Sequence, residues 1–390
     1  MKYAYDEQKR ILTISLEGRI DSGNAAALQK EITQIRSARP DGQIVFDLDR
    51  LNYISSAGLR VFLKLARREK STIRAVNVST DVVEIFRMTG FDDILEISQR
   101  MRRVSVQGCE VIGRGANGVV YRLDPDTIIK VFRPDAGLSI VERERERARA
   151  ALLKGLPTAI AYDVVKAGDC YGIVYEMINS RSLAQVLQED EAHFERYAKA
   201  YASLFKEIHN TQGDLQIFGR VKEIYEEAID YCSDVYTAEE LEKLRTLIRS
   251  VPDRTTLIHG DFHPKNIMLI DGELTLIDMG DMSLGDPVFD FLATAATQVN
   301  LVKLDPVFAQ AFTGMPVLTV TRLWNTLLEE YFAGESRERI DQIDRRIAGL
   351  SKLKVALAPY FAREIDKTVI RASIEDARKN LFPIVDQLIE

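Results

Sequence analysis

The sequence predicts two domains: a compact α/β domain over the first hundred residues and a larger α+β domain over the rest. Three observations carry this reading. Strand-like and helix-like segments alternate through residues 1–100, the order of a layered α/β domain. Further on, Gly113, Gly115 and Gly118 form a Gly-x-Gly-x-x-Gly run, followed by a strand-like segment and a second one that carries Lys130. Lastly, Asp271-Gly272 between short apolar runs is a strong hairpin signal.

In the first domain, Ile11–Leu16 alternates as a strand does, and Gly18 and Asp21-Ser22-Gly23 end it. Ala25–Ile35 reads as a helix with Ala25, Leu28, Ile32 and Ile35 on one face. Pro40-Asp41-Gly42 breaks the chain before a buried strand, Ile44–Leu48. Ser56 suits the N-cap of a helix over Ala57–Glu69, with Leu59, Phe62, Leu63 and Ala66 inward. A strand at Ile73–Val78, a short helix from Ser79 to Met88 ended by Gly90, and a strand at Ile94–Ile97 complete the unit.

That order, with Tyr53-Ile54-Ser55-Ser56-Ala57-Gly58-Leu59-Arg60 between a strand and a helix, resembles the STAS domain of bacterial anti-sigma-factor antagonists. The family's usual form is Asp-Ser-Ser-Gly, in which the Ser before Gly accepts phosphate from a partner kinase. Here Ala57 takes that place and Ser55 the place of the Asp. The resemblance implies a protein-binding module that lacks the usual acceptor hydroxyl. Ser56 is the remaining candidate phosphosite, because unpaired N–H groups at a helix start favour phosphate; N-capping is its competing role.

Bulk numbers narrow the field. At 390 residues, 46% apolar and 28% charged, the chain is an ordinary globular protein. Residues 1–100 hold 16 basic against 14 acidic side chains, and the remainder 36 against 45. An acidic larger domain argues against nonspecific nucleic-acid binding. No run of 18 apolar residues occurs, and the N-terminus has no signal-like apolar core. Cys109, Cys170 and Cys232 have no metal-ligand or redox spacing. A cytoplasmic protein with free thiols is expected. The basic stretch Arg100 to Arg103 enters a linker at 101–106, read as a solvated connector.

In the second domain, a lone glycine fingerprint is weak evidence. The next two segments of chain decide the reading. Val119–Leu123 is a strand, not a helix, and Ile128–Phe132 returns across Asp124-Pro125-Asp126. Glycines let backbone close over phosphates, and Lys130 offers them a point charge. Such a lysine needs a helix carboxylate to hold it. The helix Ser139–Lys154 offers Glu142, Glu144 and Glu146; Glu144 lies on the inward stripe with Val141, Ala148, Ala151 and Leu152. The remaining Glu/Arg alternation reads as a solvated face.

The hairpin strands are read as Ile267–Ile270 and Leu274–Ile277. Paired strands lie about 5 Å apart, so Asn266 and Asp278 become neighbours, with Asp261 on the loop ahead of them. Hard oxygens of this kind suit Mg²⁺, which takes one or two carboxylates plus phosphate and water. The constellation fits phosphoryl transfer, with Asp261 as base or orienter and Asn266 and Asp278 as metal ligands.

This His259-Gly260-Asp261-x-x-x-x-Asn266 segment with Ile277-Asp278 resembles the aminoglycoside phosphotransferase and choline kinase branch of the protein-kinase-like fold. Protein kinases usually carry Arg where Gly260 stands and Phe-Gly after the metal-binding Asp; here Met279-Gly280 comes next. The resemblance implies a nucleotide lobe at 107–178 and a catalytic and acceptor lobe at 179–390. It implies a hinge at Glu176, Met177 and Ile178 whose backbone pairs with a purine edge, and ATP or GTP with Mg²⁺ as cofactors. Gly285-Asp286-Pro287-x-x-Asp290 resembles a family stretch in which Asp290 braces the catalytic loop. His259 and His209 are expected to be structural; His263 is either a brace or substrate-facing. Asp281 has no fixed role. Residues 296–390 read as helices with Leu323, Trp324, Leu327, Leu328 and Phe332 on a core stripe.

The expectation is a small-molecule kinase with a STAS module for a protein partner. The rivals are a protein kinase acting on the STAS domain or a partner, a binding-only regulator, and a nucleotide sensor without turnover.

Overall fold

A computed structural model describes residues 1–69, 72–115, 117–361 and 367–389. The chain forms two compact units, Met1–Arg103 and Val104–Glu390.

In the first unit five strands lie in chain order: β1 (Lys2–Asp6), β2 (Ile11–Ile20), β3 (Gln43–Ile54), β4 (Ile73–Val78) and β5 (Leu95–Gln99). β1 pairs antiparallel with β2, and the other neighbours are parallel. The parallel connections run through α1 (Ala25–Ala38), α2 (Ser56–Ala66) and α3 (Thr80–Met88). Phe46, Phe62 and Phe86 meet in the core, with ring centroids 4.7 and 6.0 Å apart. β1 carries no strong apolar signal because it is a mostly exposed edge strand placed by backbone pairing, with only Tyr5 packed against the core. β3 runs six residues past Leu48, because Leu51 and Ile54 are buried while Asp49 and Arg50 point out.

One local expectation is overturned. Ser55, not Ser56, caps α2: its hydroxyl accepts from the Gly58 N–H at 3.4 Å. Ser56 is the first helical residue and is exposed. Gly58 is needed by packing, since a Cβ there would lie 2.7 Å from side-chain carbons of Ile20 and Ile54.

The second unit opens with a five-stranded antiparallel sheet in the order β6-β7-β8-β10-β9. Its strands are β6 (Glu110–Gly115), β7 (Gly118–Arg122), β8 (Thr127–Phe132), β9 (Ala161–Ala167) and β10 (Cys170–Glu176). The helix α4 (Leu138–Leu153) lies between β8 and β9 in sequence. Val104, within the expected linker, donates its N–H to Lys166 at 2.9 Å, and Val104 and Val106 pack on this sheet's core.

The rest is mainly helical: α5 (Leu183–Glu189), α6 (Phe194–Asn210), α7 (Leu215–Phe218), α8 (Val221–Tyr231) and α9 (Ala238–Ser250) precede the hairpin region. There β11 (Leu257–Ile258), β12 (Ile267–Ile270), β13 (Glu273–Leu276) and β14 (Ser283–Leu284) form two small ladders. α10 (Val288–Ala295) comes next, and further helices follow among the described residues, as far as Phe361 and again over Lys367–Ile389. Leu323, Trp324, Leu327 and Leu328 are buried as expected, with Phe332 packed against them. No helix among the described residues is long and apolar enough to cross a membrane.

Candidate active site

The β6–β7 turn contains the glycine run; Ala116 at its tip lies outside the described residues. Gly118 is fixed by the sheet, because a Cβ there would sit 2.1 Å from the Val131 carbonyl oxygen. A Cβ on Gly115 would meet nothing within 4 Å. Gly115 is therefore not demanded by the protein's own packing.

Lys130 stands on β8 opposite Val120 and Ile173. Its ammonium donates to Glu144 Oε1 at 2.9 Å and to Asp278 Oδ1 at 2.8 Å. Of the three helix carboxylates only Glu144 turns inward; Glu142 and Glu146 are not among the buried residues of α4. Tyr175 donates its hydroxyl to the same Glu144 oxygen at 3.1 Å. Burial alone would lower the Lys130 pKa, but the charges of Asp278 and Glu144 outweigh it and hold the group protonated. At Glu144 burial leads and raises the carboxyl against the pull of Lys130.

At the hinge, the Glu176 N–H is taken by the Ile160 carbonyl at 3.0 Å and the Met177 N–H by the Asp126 carbonyl at 2.7 Å. Among the described residues the Ile178 N–H has no acceptor. Of the three N–H groups at the expected hinge, those of Glu176 and Met177 are thus already engaged by backbone carbonyls.

The segment bearing Asp261 runs from β11 through a 3₁₀ turn, Pro264–Asn266, into the β12–β13 hairpin. Ile270 pairs with Glu273, leaving a two-residue loop with φ of 48° at Asp271 and 88° at Gly272. Two positive φ values make it the primed turn that matches strand twist. At the open end the Ile277 N–H donates to the Asn266 carbonyl at 2.9 Å. The Asn266 amide nitrogen donates to the carbonyl and to Oδ2 of Asp261, both at 3.1 Å. Asp278 turns instead toward Lys130.

Asp261 is 46% exposed, and His263 Nε2 lies 3.4 Å from its Oδ2. His263 Nδ1 accepts the Lys265 N–H at 3.2 Å, which leaves Nε2 to face the carboxylate. Burial pushes the Asp261 carboxyl up, but His263, His259 and Lys354 outweigh it and hold it well below the usual range. His259 is fully buried and its Nδ1 accepts the Asp261 N–H at 3.3 Å. Asp290, also fully buried, accepts the N–H of His259 at 2.7 Å and of Gly260 at 2.6 Å. His209 bridges Asp290 and the Tyr331 hydroxyl, at 3.0 Å each.

The packing roles of four residues here escaped the sequence reading. Gly260 has φ of 84°, and a Cβ on it would lie 2.6 Å from the Asp281 carbonyl oxygen. Gly280 faces Glu144, whose Oε2 would be 2.8 Å from an added Cβ. Arg147, assigned to the solvated face of α4, is buried and donates to the carbonyls of Gly280 and of Phe218, the latter at 3.0 Å. Position 147 is three residues past Glu144, so helical spacing alone could have placed it inward. Leu152, read as inward, is 37% exposed. Lys354, on a helix at Lys352–Ala356, brings a positive charge toward Asp281 and Asp261. Nothing in the sequence pointed to it.

The profile of the phosphotransferase enzyme family matches residues 108–324, more than half of the chain. The chain belongs to that family. Ahead of the phosphotransferase domain, a STAS domain occupies residues 2–103. This part is 34% identical over 101 residues to the putative anti-sigma factor antagonist BtrV of Bordetella bronchiseptica, 25% of this chain and 86% of the relative. It is 26% identical over 92 residues to the anti-sigma-B factor antagonist of Bacillus subtilis, 23% of this chain and 83% of the relative. Among solved structures, ADP-bound aminoglycoside phosphotransferase APH(2'')-Ib is similar with a TM-score of 0.47 and 17% identity, over 72% of this chain and 91% of that one.

Proposed function

We propose that this phosphotransferase transfers phosphate from ATP, with Mg²⁺, to a hydroxyl of a small molecule, and that its STAS unit binds a protein partner. The observation that carries the reading is Lys130, which touches Glu144 and Asp278 at once. A strand lysine held by a helix carboxylate beside a hairpin-end carboxylate is the arrangement phosphoryl transfer uses.

The residues fit the cofactors. Gly115 leaves open space where phosphates approach backbone. The Asn266 amide nitrogen is spent on Asp261, so its oxygen is left for a cation. Asp278 is 40% exposed and supplies a hard carboxylate. Among the described residues no three His, Cys, Asp or Glu side chains gather as a metal cage, and Mg²⁺ needs only one or two protein carboxylates when phosphate supplies the rest. A bound Mg²⁺ would neutralise phosphate charge.

Lys130 pairs with phosphate oxygens while Glu144 keeps its direction. Ile178 offers one N–H to the base. Asp261 stays ionised and accepts the acceptor's O–H at a carboxylate oxygen. It is a weak base, so it orients the hydroxyl and takes its proton as the acceptor oxygen bonds to the γ-phosphorus and the bond from that phosphorus to the β–γ bridging oxygen breaks, releasing ADP. Asn266 and His263 fix its rotamer. Phosphorylation of a protein hydroxyl, including the exposed Ser56, is the second reading. Gly260 in the small-substrate form of the loop disfavours it.

The test uses the full chain. Asp261→Asn should keep ADP affinity and lose turnover by about 10²-fold or more, the usual size of a general-base contribution. Asp278→Ala should lose Mg²⁺-dependent ATP binding in calorimetry. Equal Mg²⁺-dependent binding by Asp278→Ala and the parent would refute the reading. Stoichiometric label on Ser56 after incubation with labelled ATP, absent in Asp261→Asn, would favour the protein-kinase alternative.

A further inference from the structure

Asp278 has φ of 62°, in the left-handed region, although it is not a glycine. Such a residue stays there only when its surroundings over-determine it. Asp271 needs no special holder, because its two-residue hairpin loop demands positive φ. Asp278 lies outside that turn, so its conformation must be held from both sides.

On the N-terminal side the holder is the hairpin, through the Ile277 N–H and the Asn266 carbonyl. On the C-terminal side Met279 is buried at 2% exposure, and the next carbonyl, of Gly280, accepts from Arg147. The same guanidinium donates to the Phe218 carbonyl, the last of α7, at 3.0 Å. A planar fork with fixed donors ties two backbone segments in a way a flexible ammonium does not. Gly280 also has its bare Cα against Glu144, so α4 meets this loop at two side chains, three residues apart.

A buried guanidinium is costly unless hydrogen bonds or charges compensate it. Among the described residues its Nε has no hydrogen-bond partner, and its terminal nitrogens donate to two carbonyls while Asp281 and Glu144 act on it only through their charge. It is therefore held by carbonyls rather than as half of an ion pair.

We propose that Arg147 is a positioning residue for Asp278: from α4 it fixes the backbone two residues beyond that carboxylate and thereby sets the site's affinity for a divalent cation. This rests on the reading of Asp278 as a metal ligand. Groups that orient a ligand from behind typically change metal affinity by about 10- to 100-fold when removed.

The experiment is calorimetry of ADP binding to the full chain, with and without Mg²⁺, for the parent, Arg147→Met, Arg147→Lys and Asp278→Ala. Arg147→Met should weaken the Mg²⁺-dependent part of ADP affinity by about tenfold or more and leave metal-free ADP affinity within about threefold. Amide exchange should rise across residues 279–282 and stay unchanged in the hairpin strands. Arg147→Lys, which cannot span both carbonyls, should fall between. If Arg147→Met binds like the parent while Asp278→Ala loses the Mg²⁺ dependence, the proposal is wrong. Equal loss with and without Mg²⁺ is also wrong for it, since that marks a collapsed fold. If Asp278→Ala keeps the Mg²⁺ dependence, the metal reading fails first. Should Arg147→Met not fold, the same criteria apply to Arg147→Lys.

Discussion

Asp290 offers the sharpest test of how the loop bearing Asp261 is held. Its carboxylate is fully buried and serves three donors: the N–H groups of His259 and Gly260, and His209 Nε2. Asp290→Ala strands all three in the interior. Removing one partner of a buried charged cluster costs about 3–5 kcal/mol. A 1 kcal/mol loss shifts the melting point of a domain this large by roughly 2–4 °C, so the phosphotransferase unit should melt on the order of 10 °C lower. Asp290→Asn keeps the volume but turns one acceptor into a donor, and should cost about 1.5–3 kcal/mol, the worth of one charge-assisted hydrogen bond. Differential scanning calorimetry resolves this, because the STAS transition serves as an internal control.

The pH dependence has a definite sign. Burial would raise the Asp290 carboxyl, but the hydrogen bond and charge of His209, with His259 and its N–H, hold it below the ordinary value. The native state then binds fewer protons than the unfolded chain. Asp290 stabilises fully above about pH 4, the unfolded carboxyl value, and its contribution disappears as pH falls through the lower native value. Asp290→Ala should therefore flatten the acid limb of the stability curve. An Asp290→Ala protein that melts within a degree of the parent would show that the loop is not held this way.

Single contacts elsewhere make equally direct predictions. Gly280→Ala should push Glu144 off Lys130, so nucleotide affinity should drop by about tenfold, one hydrogen bond to a charged group; unchanged affinity would mean Glu144 does not set Lys130. Gly118→Ala forces β7 from β8 and should destabilise the unit by about 1–3 kcal/mol, read by chemical denaturation. Ser55→Ala should cost the STAS unit about 0.5–1 kcal/mol as a lost N-cap, whereas Ser56→Ala should be nearly silent. The reverse order would return the cap to Ser56.

Much of this site is legible in the chain because it is local. The Asp271-Gly272 turn fixes a register, and the register brings Asn266 to Ile277 without help from the rest of the fold. Lys130 and Glu144 are found by strand position and helical period. What escapes is what the two lobes do to each other. Arg147 looks like one more charge in a Glu/Arg helix, and only the Gly280 and Phe218 carbonyls from elsewhere in the chain make it interior. Lys354 arrives from some ninety residues downstream of Asp261. Ser55 takes the cap rather than Ser56 because capping is decided by backbone angles within one residue. β1 carries almost no amphipathic pattern, since this edge strand turns only Tyr5 toward the core.

The close crossing at Gly260 has a consequence for motion. With the Asp281 carbonyl where a side chain would begin, the segment bearing Asp261 and the segment bearing Asp278 cannot slide past each other. They should breathe as a single cooperative unit. Amide protons at positions 260 and 281 should then exchange with one common opening free energy. Any side chain larger than hydrogen at 260 would uncouple that opening into two.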